Sequence, residues 1–273
     1  MTDRYAVIGN PIGHTKSPLI HGSFALACGQ DMTYSAIEGP LDGFAIAVKA
    51  FRDTGGLGMN ITAPFKLQAY ELADECSERA QLAGAVNALK FEAGRMLADN
   101  FDGIGLRNDI ERNLGVAIAG KRVLLLGAGG AARGAVLPFL AQRPAEIVIA
   151  NRSVDKALAL AQRTQKYGPV RGCSYADIGH AHFDLIVNAT SASLKGELPP
   201  LAPSVFASDS LAYELLYGKG LTPFLRLAQN AGVERLADGV GMLVEQAAEA
   251  FLWWRGVRPE TREVIQKLSI PLG

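Results

Sequence analysis

The chain has 273 residues, 49% of them hydrophobic and 20% charged, with 27 Lys and Arg against 27 Asp and Glu. That length predicts two modest domains rather than one large core, and the balanced charge leaves no field to hold a polyanionic nucleic acid. Residues 1–9 lack the basic and apolar regions of a secretory leader, and no apolar run reaches the roughly 20 residues of a membrane span, so a cytoplasmic protein with neither a nucleic-acid nor a membrane partner is expected.

Short apolar runs alternate with segments of helical period along the whole chain, as at residues 5–8 then 18–28, and 123–126 then 131–140. This is an α/β pattern with parallel sheets and crossover helices. The opening strand leads into Gly9-Asn-Pro-Ile-Gly-His-Thr-Lys-Ser-Pro18, whose Thr15 and Ser17 carry hydroxyls. Pro18 at a first helical position makes Ser17 an N-cap, a duty compatible with holding a ligand. Next comes Gly58-Met-Asn-Ile-Thr-Ala-Pro-Phe-Lys66, a strand running into a helix with Lys66 in its first turn. The helix dipole disfavours a cation there, which points to a role for Lys66, with an exposed surface lysine as the alternative.

Asp99-Asn-Phe-Asp102-Gly103 places a carboxylate where a helical pattern begins (Ile104, Leu106, Ile110, Leu114) that runs out at Gly115. We place the domain boundary there, with residues 1–102 and 239–273 in one unit and 103–238 in the other. The return is marked by one helical stripe of Val240, Leu243, Ala247, Phe251 and Trp254.

Residues 121–133 read as a buried strand, a glycine turn and a helix. Gly127 allows the tight turn, Gly129 lets a pyrophosphate approach the backbone, and Ala132 sits where helix and strand pack closely. With Ala128, Gly130 and Ala131 this loop is the candidate dinucleotide site, its helical N–H groups facing phosphate. A second strand, 146–150, ends in Asn151-Arg152-Ser153 at the distance where such folds read the adenosine ribose. Arg152 stands where an acid would favour NAD, and Lys156 follows one turn later; a guanidinium pairs with a 2′-phosphate, so NADP is the expected cofactor. The strand at 184–187 closes in Asn188-Ala189-Thr190-Ser191, at the end of the sheet where ligands bind.

Cys28, Cys76 and Cys173 are far apart, and His180 with His182 lacks further ligands, so no metal is expected.

These motifs, together with Ala83-Gly-Ala-Val-Asn87, Tyr213-Glu-Leu-Leu-Tyr217, Thr222-Pro223 and Asp238-Gly-Val-Gly-Met-Leu-Val-Glu-Gln246, make the chain resemble the shikimate dehydrogenase family along essentially its whole length. The resemblance implies an N-terminal α/β substrate domain and a Rossmann-type NADP-binding domain, with a C-terminal helix returning to the first. It further implies interconversion of shikimate and 3-dehydroshikimate in aromatic amino-acid biosynthesis, by a monomer or homodimer. Lys66 and Asp102 would form the catalytic pair and Asn87 would orient the ring. Thr15, Ser17 and Tyr217 would hold the substrate carboxylate, and Thr62 and Gln246 would meet ring hydroxyls. Gly239 and Met242 would join Thr190 against the cofactor. Lysine suits the role, since the hydroxyl must lose a proton as hydride leaves carbon.

Two positions depart from the family. Thr15 replaces the usual Ser, and Phe101 replaces the Thr of Asn-Thr-Asp-Gly. If Phe101 points into the pocket, a hydroxyl is lost and bulk gained beside Asp102; if it turns into the domain interface, the pocket is intact. A paralogous enzyme for quinate or an aminoshikimate is therefore the second reading, and a dinucleotide-binding module without chemistry the third.

Overall fold

A computed structural model of the chain describes residues 2–179 and 182–272. The chain divides into two compact units, one of residues up to Gly105 with Val244–Val264, the other of Leu106–Leu243 with the residues from Ile265 onward. The last residues, expected with the first unit, thus belong to the second, because Leu272 packs on that unit's apolar core.

The first unit is a six-stranded mixed sheet in the order β2-β1-β3-β5-β6-β4. Its strands are β1 (Asp3–Gly9), β2 (Met32–Glu38), β3 (Gly56–Ile61), β4 (Glu75–Cys76), β5 (Ala88–Glu92) and β6 (Arg95–Asp99). β1 runs parallel to β2 and β3, whereas β5 is antiparallel to both β3 and β6. Helices α1 (Ser17–Ala27), α2 (Phe44–Asp53), α3 (Lys66–Leu72) and α4 (Glu78–Ala83) make the connections. One face of the sheet buries Ala6, Ile8, Met59 and Ile61 with Phe44, Val48 and Phe65, the alternate positions expected of pleated strands.

The second unit is a fully parallel sheet ordered β12-β11-β10-β7-β8-β9. Its strands are β7 (Arg122–Leu126), β8 (Glu146–Ala150), β9 (Val170–Cys173), β10 (Phe183–Asn188), β11 (Phe206–Glu214) and β12 (Arg235–Asp238). Read from β9, that is the 3-2-1-4-5-6 order of a dinucleotide-binding sheet, with its switch point between β7 and β10. Both faces are covered, so the central strands are apolar throughout. Val123, Leu125, Ile147 and Ile149 pack on Ala132, Ala135 and Phe139 of α6 (Gly130–Leu140). Leu124, Leu126, Val148 and Ala150 face Phe224, Leu225 and Ala228 of α8 (Pro223–Asn230). Helix α7 (Val154–Thr164) follows β8.

The helix expected from residue 104 begins as α5 (Asp102–Asn108) and continues as a π-helical turn, Asp109–Asn113. There the Leu114 N–H bonds the Asp109 carbonyl at 3.0 Å, while the buried Asp109 carboxylate accepts the Tyr213 hydroxyl at 2.7 Å and the Asn113 amide at 2.9 Å. The long helix α9 (Val240–Arg255) buries Val244, Ala247, Ala248, Phe251 and Trp254. Leu243, expected in that stripe, is only partly buried, and Val244 takes its place. The chain closes with α10 (Arg262–Leu268). Among the described residues no helix is long and apolar enough to cross a membrane. The three cysteines are unpaired. His180 lies outside the described residues, and the His182 ring nitrogen is 3.2 Å from the Phe206 carbonyl.

His21 of α1 is wholly buried. Its ring stacks on Tyr34, centroids 4.2 Å apart and planes 5° from parallel, with Phe24, Phe251 and Trp254 around it. Neither ring nitrogen makes a hydrogen bond of ordinary geometry; the Asn60 carboxamide is the polar group it faces, and burial holds the imidazole at a pKa of about 3. The folded state therefore keeps His21 neutral while the unfolded chain binds a proton below pH 6.5, so stability present above that pH is lost as pH falls. Wild type should lose on the order of 1.4 kcal/mol per pH unit more than His21→Phe over the range from about pH 6 to 4. Denaturant unfolding across that range measures it, and equal slopes for the two proteins would refute a buried neutral imidazole.

Candidate active site

Three connections of the first unit converge on one carboxylate. Lys66 opens α3 just beyond β3, Asn87 precedes β5, and Asp102 opens α5 just beyond β6. Lys66 Nζ donates to Asp102 Oδ2 at 2.6 Å, and Asn87 Nδ2 donates to Asp102 Oδ1 at 2.7 Å. The same amide reaches Gln246 Oε1 on α9 at 3.1 Å, while Asn87 Oδ1 accepts the Phe101 N–H at 2.8 Å. Asn87 is almost wholly buried, whereas the Lys66 side chain is 33% and the Asp102 side chain 15% exposed. An ammonium has three donors, and the Asp102 bond uses one of them.

The backbone beneath is tied down by a second set of polar groups. Asn100 Oδ1 accepts the Asp102 N–H at 3.1 Å, and its amide donates to the Ala85 carbonyl at 3.0 Å. Asp99 accepts the Asn100 N–H at 2.7 Å, the Arg79 guanidinium and the Ser77 hydroxyl. The position of Asp102 is thus set by a frame rather than by its partners alone.

The Thr15 hydroxyl donates to Ser17 Oγ at 3.2 Å and accepts the Ser17 N–H at 3.3 Å. The expected N-cap role of Ser17 is corrected: α1 begins on Ser17 itself, and its cap, Lys16, makes no side-chain bond. Thr62 follows β3, its methyl pressed where any side chain on Gly9 would stand. Tyr217 belongs to the second unit and is exposed after β11, and the partial burial of its phenol raises the pKa above the ordinary value.

Phe101 turns into the core of its own unit. It is 4% exposed in an aromatic cluster with Tyr5, Ala250 and Trp254. Its ring meets Trp253 edge-on at 5.6 Å, and the Arg79 guanidinium lies 5.5 Å from its centroid. The Phe101 ring therefore adds no bulk beside Asp102.

In the second unit a cavity of about 730 Å³ opens at the carboxyl ends of β7, β8 and β10. Gly127, Ala128, Gly129, Gly130, Asn151, Arg152, Ser153, Lys156 and Thr190 line it. Gly127 has φ +104°, and a side chain there would press on the Ala189 carbonyl 3.1 Å away, so the turn requires glycine. Three residues expected on the cofactor do not line this cavity, namely Ala131, Gly239 and Met242. Ala131 lies in the first turn of α6. Gly239 is packed against Leu215, and the Met242 N–H bonds the Tyr213 hydroxyl at 3.3 Å.

Sequence reading missed Arg133, Arg163, Tyr175 and Lys195, which also line the cavity. Burial and the charge of Arg163 hold Arg133 below the usual guanidinium range. A helical signal existed, since Lys156, Leu160 and Arg163 share one face of α7. Among the described residues, five cations therefore surround the cavity, with Glu197 as its one acid. The open glycine turn, the start of α6 and this charge fit the phosphates of a dinucleotide.

A dinucleotide-binding sheet joined to an α/β unit that carries a lysine–aspartate pair defines a class of two-unit α/β proteins equipped for oxidoreduction. Residues 7–89 match the shikimate dehydrogenase substrate binding domain, 110–195 the shikimate/quinate 5-dehydrogenase domain, and 239–268 the shikimate 5′-dehydrogenase C-terminal domain. The shikimate dehydrogenase (NADP(+)) of Nitrosospira multiformis is 56% identical over 273 residues, covering 100% of this chain and 99% of its own. That of Dechloromonas aromatica is 54% identical over 272 residues, with coverage of 100% and 99%. Among solved structures, an Ael1 enzyme from Pseudomonas putida is 64% identical with a TM-score of 0.97, covering 100% of both chains. The shikimate 5-dehydrogenase of Thermus thermophilus, solved with NADP(H) and shikimate, is 30% identical with a TM-score of 0.85, covering 98% of this chain and 100% of its own. The chain belongs to the shikimate dehydrogenase family.

Because Phe101 is core, Phe101→Thr should cost about 3 kcal/mol in urea unfolding and bring no gain in turnover; unchanged stability with faster turnover would place residue 101 in the pocket instead. Arg152→Ala should raise the Michaelis constant for NADP by roughly 10- to 100-fold, the worth of a lost charge-assisted bond. The constant for NAD should stay within about two-fold, and equal losses for both would remove Arg152 from the 2′-phosphate.

Proposed function

We propose that this chain is an NADP-dependent oxidoreductase that interconverts shikimate and 3-dehydroshikimate, with the first unit holding the acid and the second the dinucleotide. The observation that carries the reading is the Lys66–Asp102 pair at 2.6 Å, braced by Asn87, in a chain 56% identical to a protein named shikimate dehydrogenase (NADP(+)). We place the enzyme in the cytoplasm, as a monomer or homodimer acting on a small hydroxy acid in aromatic biosynthesis.

The glycine turn of residues 127–130 holds the pyrophosphate, and Arg152 with Lys156 the 2′-phosphate. The dinucleotide supplies the nicotinamide ring that exchanges hydride with the substrate carbon. In the direction of reduction, Lys66 as an ammonium donates a proton to the oxygen that becomes the hydroxyl. In oxidation the neutral amine takes that proton back, and Asp102 stabilises the ammonium that results. Asn87 has its amide engaged by Asp102, Gln246 and the Phe101 N–H, so its part is to aim Asp102 and Gln246. Thr15, Ser17 and Tyr217 offer hydroxyls to the substrate carboxylate, and Thr62 and Gln246 face its ring hydroxyls. Such neutral donors discriminate steeply, because an analogue that lacks one oxygen leaves a polar group unpaired.

The second reading is a related acid such as quinate or an aminoshikimate, in keeping with the match of residues 110–195 to a shikimate/quinate 5-dehydrogenase domain. Steady-state oxidation of shikimate and quinate, each with NADP and NAD, decides between them. We expect the highest kcat/KM for shikimate with NADP, and Lys66→Ala should lower kcat by about 10²- to 10⁴-fold. A higher value for quinate would assign the second reading, and a wild-type rate no faster than Lys66→Ala would leave a dinucleotide-binding module without chemistry.

A further inference from the structure

A carboxylate with no exposed surface stands at the end of β11, at the switch-point side of the parallel sheet. Glu214 is 0% exposed. Its Oε2 accepts Asn188 Nδ2 at 2.9 Å, the Ser193 hydroxyl at 2.5 Å and the Thr222 hydroxyl at 3.1 Å, and its Oε1 accepts the Leu216 N–H at 3.2 Å. Burying a carboxylate costs several kcal/mol unless donors surround it, and these four come from different segments of chain. Asn188 ends β10, Ser193 sits in the short turn Ala192–Lys195, Thr222 caps α8, and Leu216 leads toward Tyr217.

The links run on to the cofactor cavity. Asn188 Oδ1 accepts both the Thr190 hydroxyl at 2.8 Å and the Thr190 N–H at 3.2 Å. Thr190 Oγ1 in turn accepts the Ala192 N–H at 3.3 Å. Thr190 lies against the Gly127 turn, its methyl within 3.3 Å of where a Gly127 side chain would begin. Thr190, Ala192 and Lys195 all line the cavity, whereas Glu214 and Ser193 do not.

We propose that Glu214 is a positioning residue for the dinucleotide: by gathering Asn188 and Ser193 it fixes the path of the 190–195 loop against the glycine turn, and so shapes one wall of the site without touching the ligand. The inference rests on the dinucleotide reading of this cavity and on nothing about the acid substrate. It acts on the wall beside the glycine turn rather than on the 2′-phosphate, so it affects both dinucleotides alike.

The test is fluorescence titration of NADPH and NADH into the purified full chain, for wild type, Glu214→Gln and Ser193→Ala, with thermal unfolding of each unliganded protein. Glu214→Gln has one oxygen where the carboxylate had two, so its NH2 must face either the Leu216 N–H or the side-chain donors, and it should weaken both dinucleotides by about 3- to 10-fold, as expected for one or two lost hydrogen bonds. Ser193→Ala removes the loop's bonds to Glu214 and to the Asn188 amide and should weaken both by about 3- to 5-fold. Arg152→Ala, by contrast, should weaken NADPH alone. Binding within about two-fold of wild type for both variants overturns the proposal, as does a lowered melting temperature without a change in affinity. If Glu214→Gln does not fold, Ser193→Ala decides. A wild type that binds NADPH yet oxidises neither acid would defeat the catalytic reading and leave this inference standing.

Discussion

The site depends on one shared anion. Asp102 gives one oxygen to Lys66 and the other to Asn87, and the mixed sheet exists in a register that makes this sharing possible. The Val86 N–H bonds the Lys66 carbonyl at 3.0 Å, the Asn87 N–H bonds the Asp99 carbonyl at 3.1 Å, and the Ile61 N–H bonds the Asn87 carbonyl at 2.9 Å. Ala88 pairs with Asp99 across β5 and β6. Three chain segments distant in sequence therefore lie side by side before any side chain is considered. A one-residue slip of β5 would turn Asn87 to the other face and leave Asp102 with Lys66 alone. The Asp102 N–H is held by Asn100 and the Phe101 N–H by Asn87, so the geometry of the pair is maintained by the backbone beneath it.

That frame explains how Phe101 is accommodated. The residue before Asp102 offers its N–H to Asn87, and a backbone group serves that purpose whatever the side chain. The ring is then free to add to the packing between Arg79 and Trp253. Sequence could name the departure but not its direction, because the side chain sits on backbone whose N–H groups are held by Asn87 and Asn100.

The α/β class and the glycine turn were legible because both rest on local signals, namely buried strands, helical period and a turn that only glycine can make. Arg152 and Lys156 were legible by their distance from that turn. Arg133, Arg163 and Lys195 were not, since each sits on a helix or loop of ordinary composition and acquires meaning only when α6, α7 and the 190–195 loop face one space. The π-helical turn after α5 was hidden for a similar reason. It answers to the buried bond between Asp109 and Tyr213, more than a hundred residues apart, and the apolar spacing of 104–114 carries no trace of it. The allocation of the last residues follows from tertiary packing, Leu272 on the core of the second unit included, which no periodicity reveals.

Charge is distributed far less evenly than composition implies. The chain carries equal numbers of acids and bases, yet five cations and one acid surround the cavity of the second unit. Such segregation is costly in the unliganded protein: burial first, and then the charge of Arg163, lower the basicity of Arg133. A ligand bearing several phosphate charges relieves that repulsion, so part of its affinity is stored beforehand in the arrangement of the cations. The neutral donors expected around the acid in the first unit follow the opposite logic. There Lys66 is already engaged by Asp102, and selectivity must come from hydrogen-bond matching rather than from net charge. On the proposed reading one chain thus separates the two tasks: a charged cavity suited to a polyanion by field and fork geometry, and a framed site suited to a substrate matched by its oxygens.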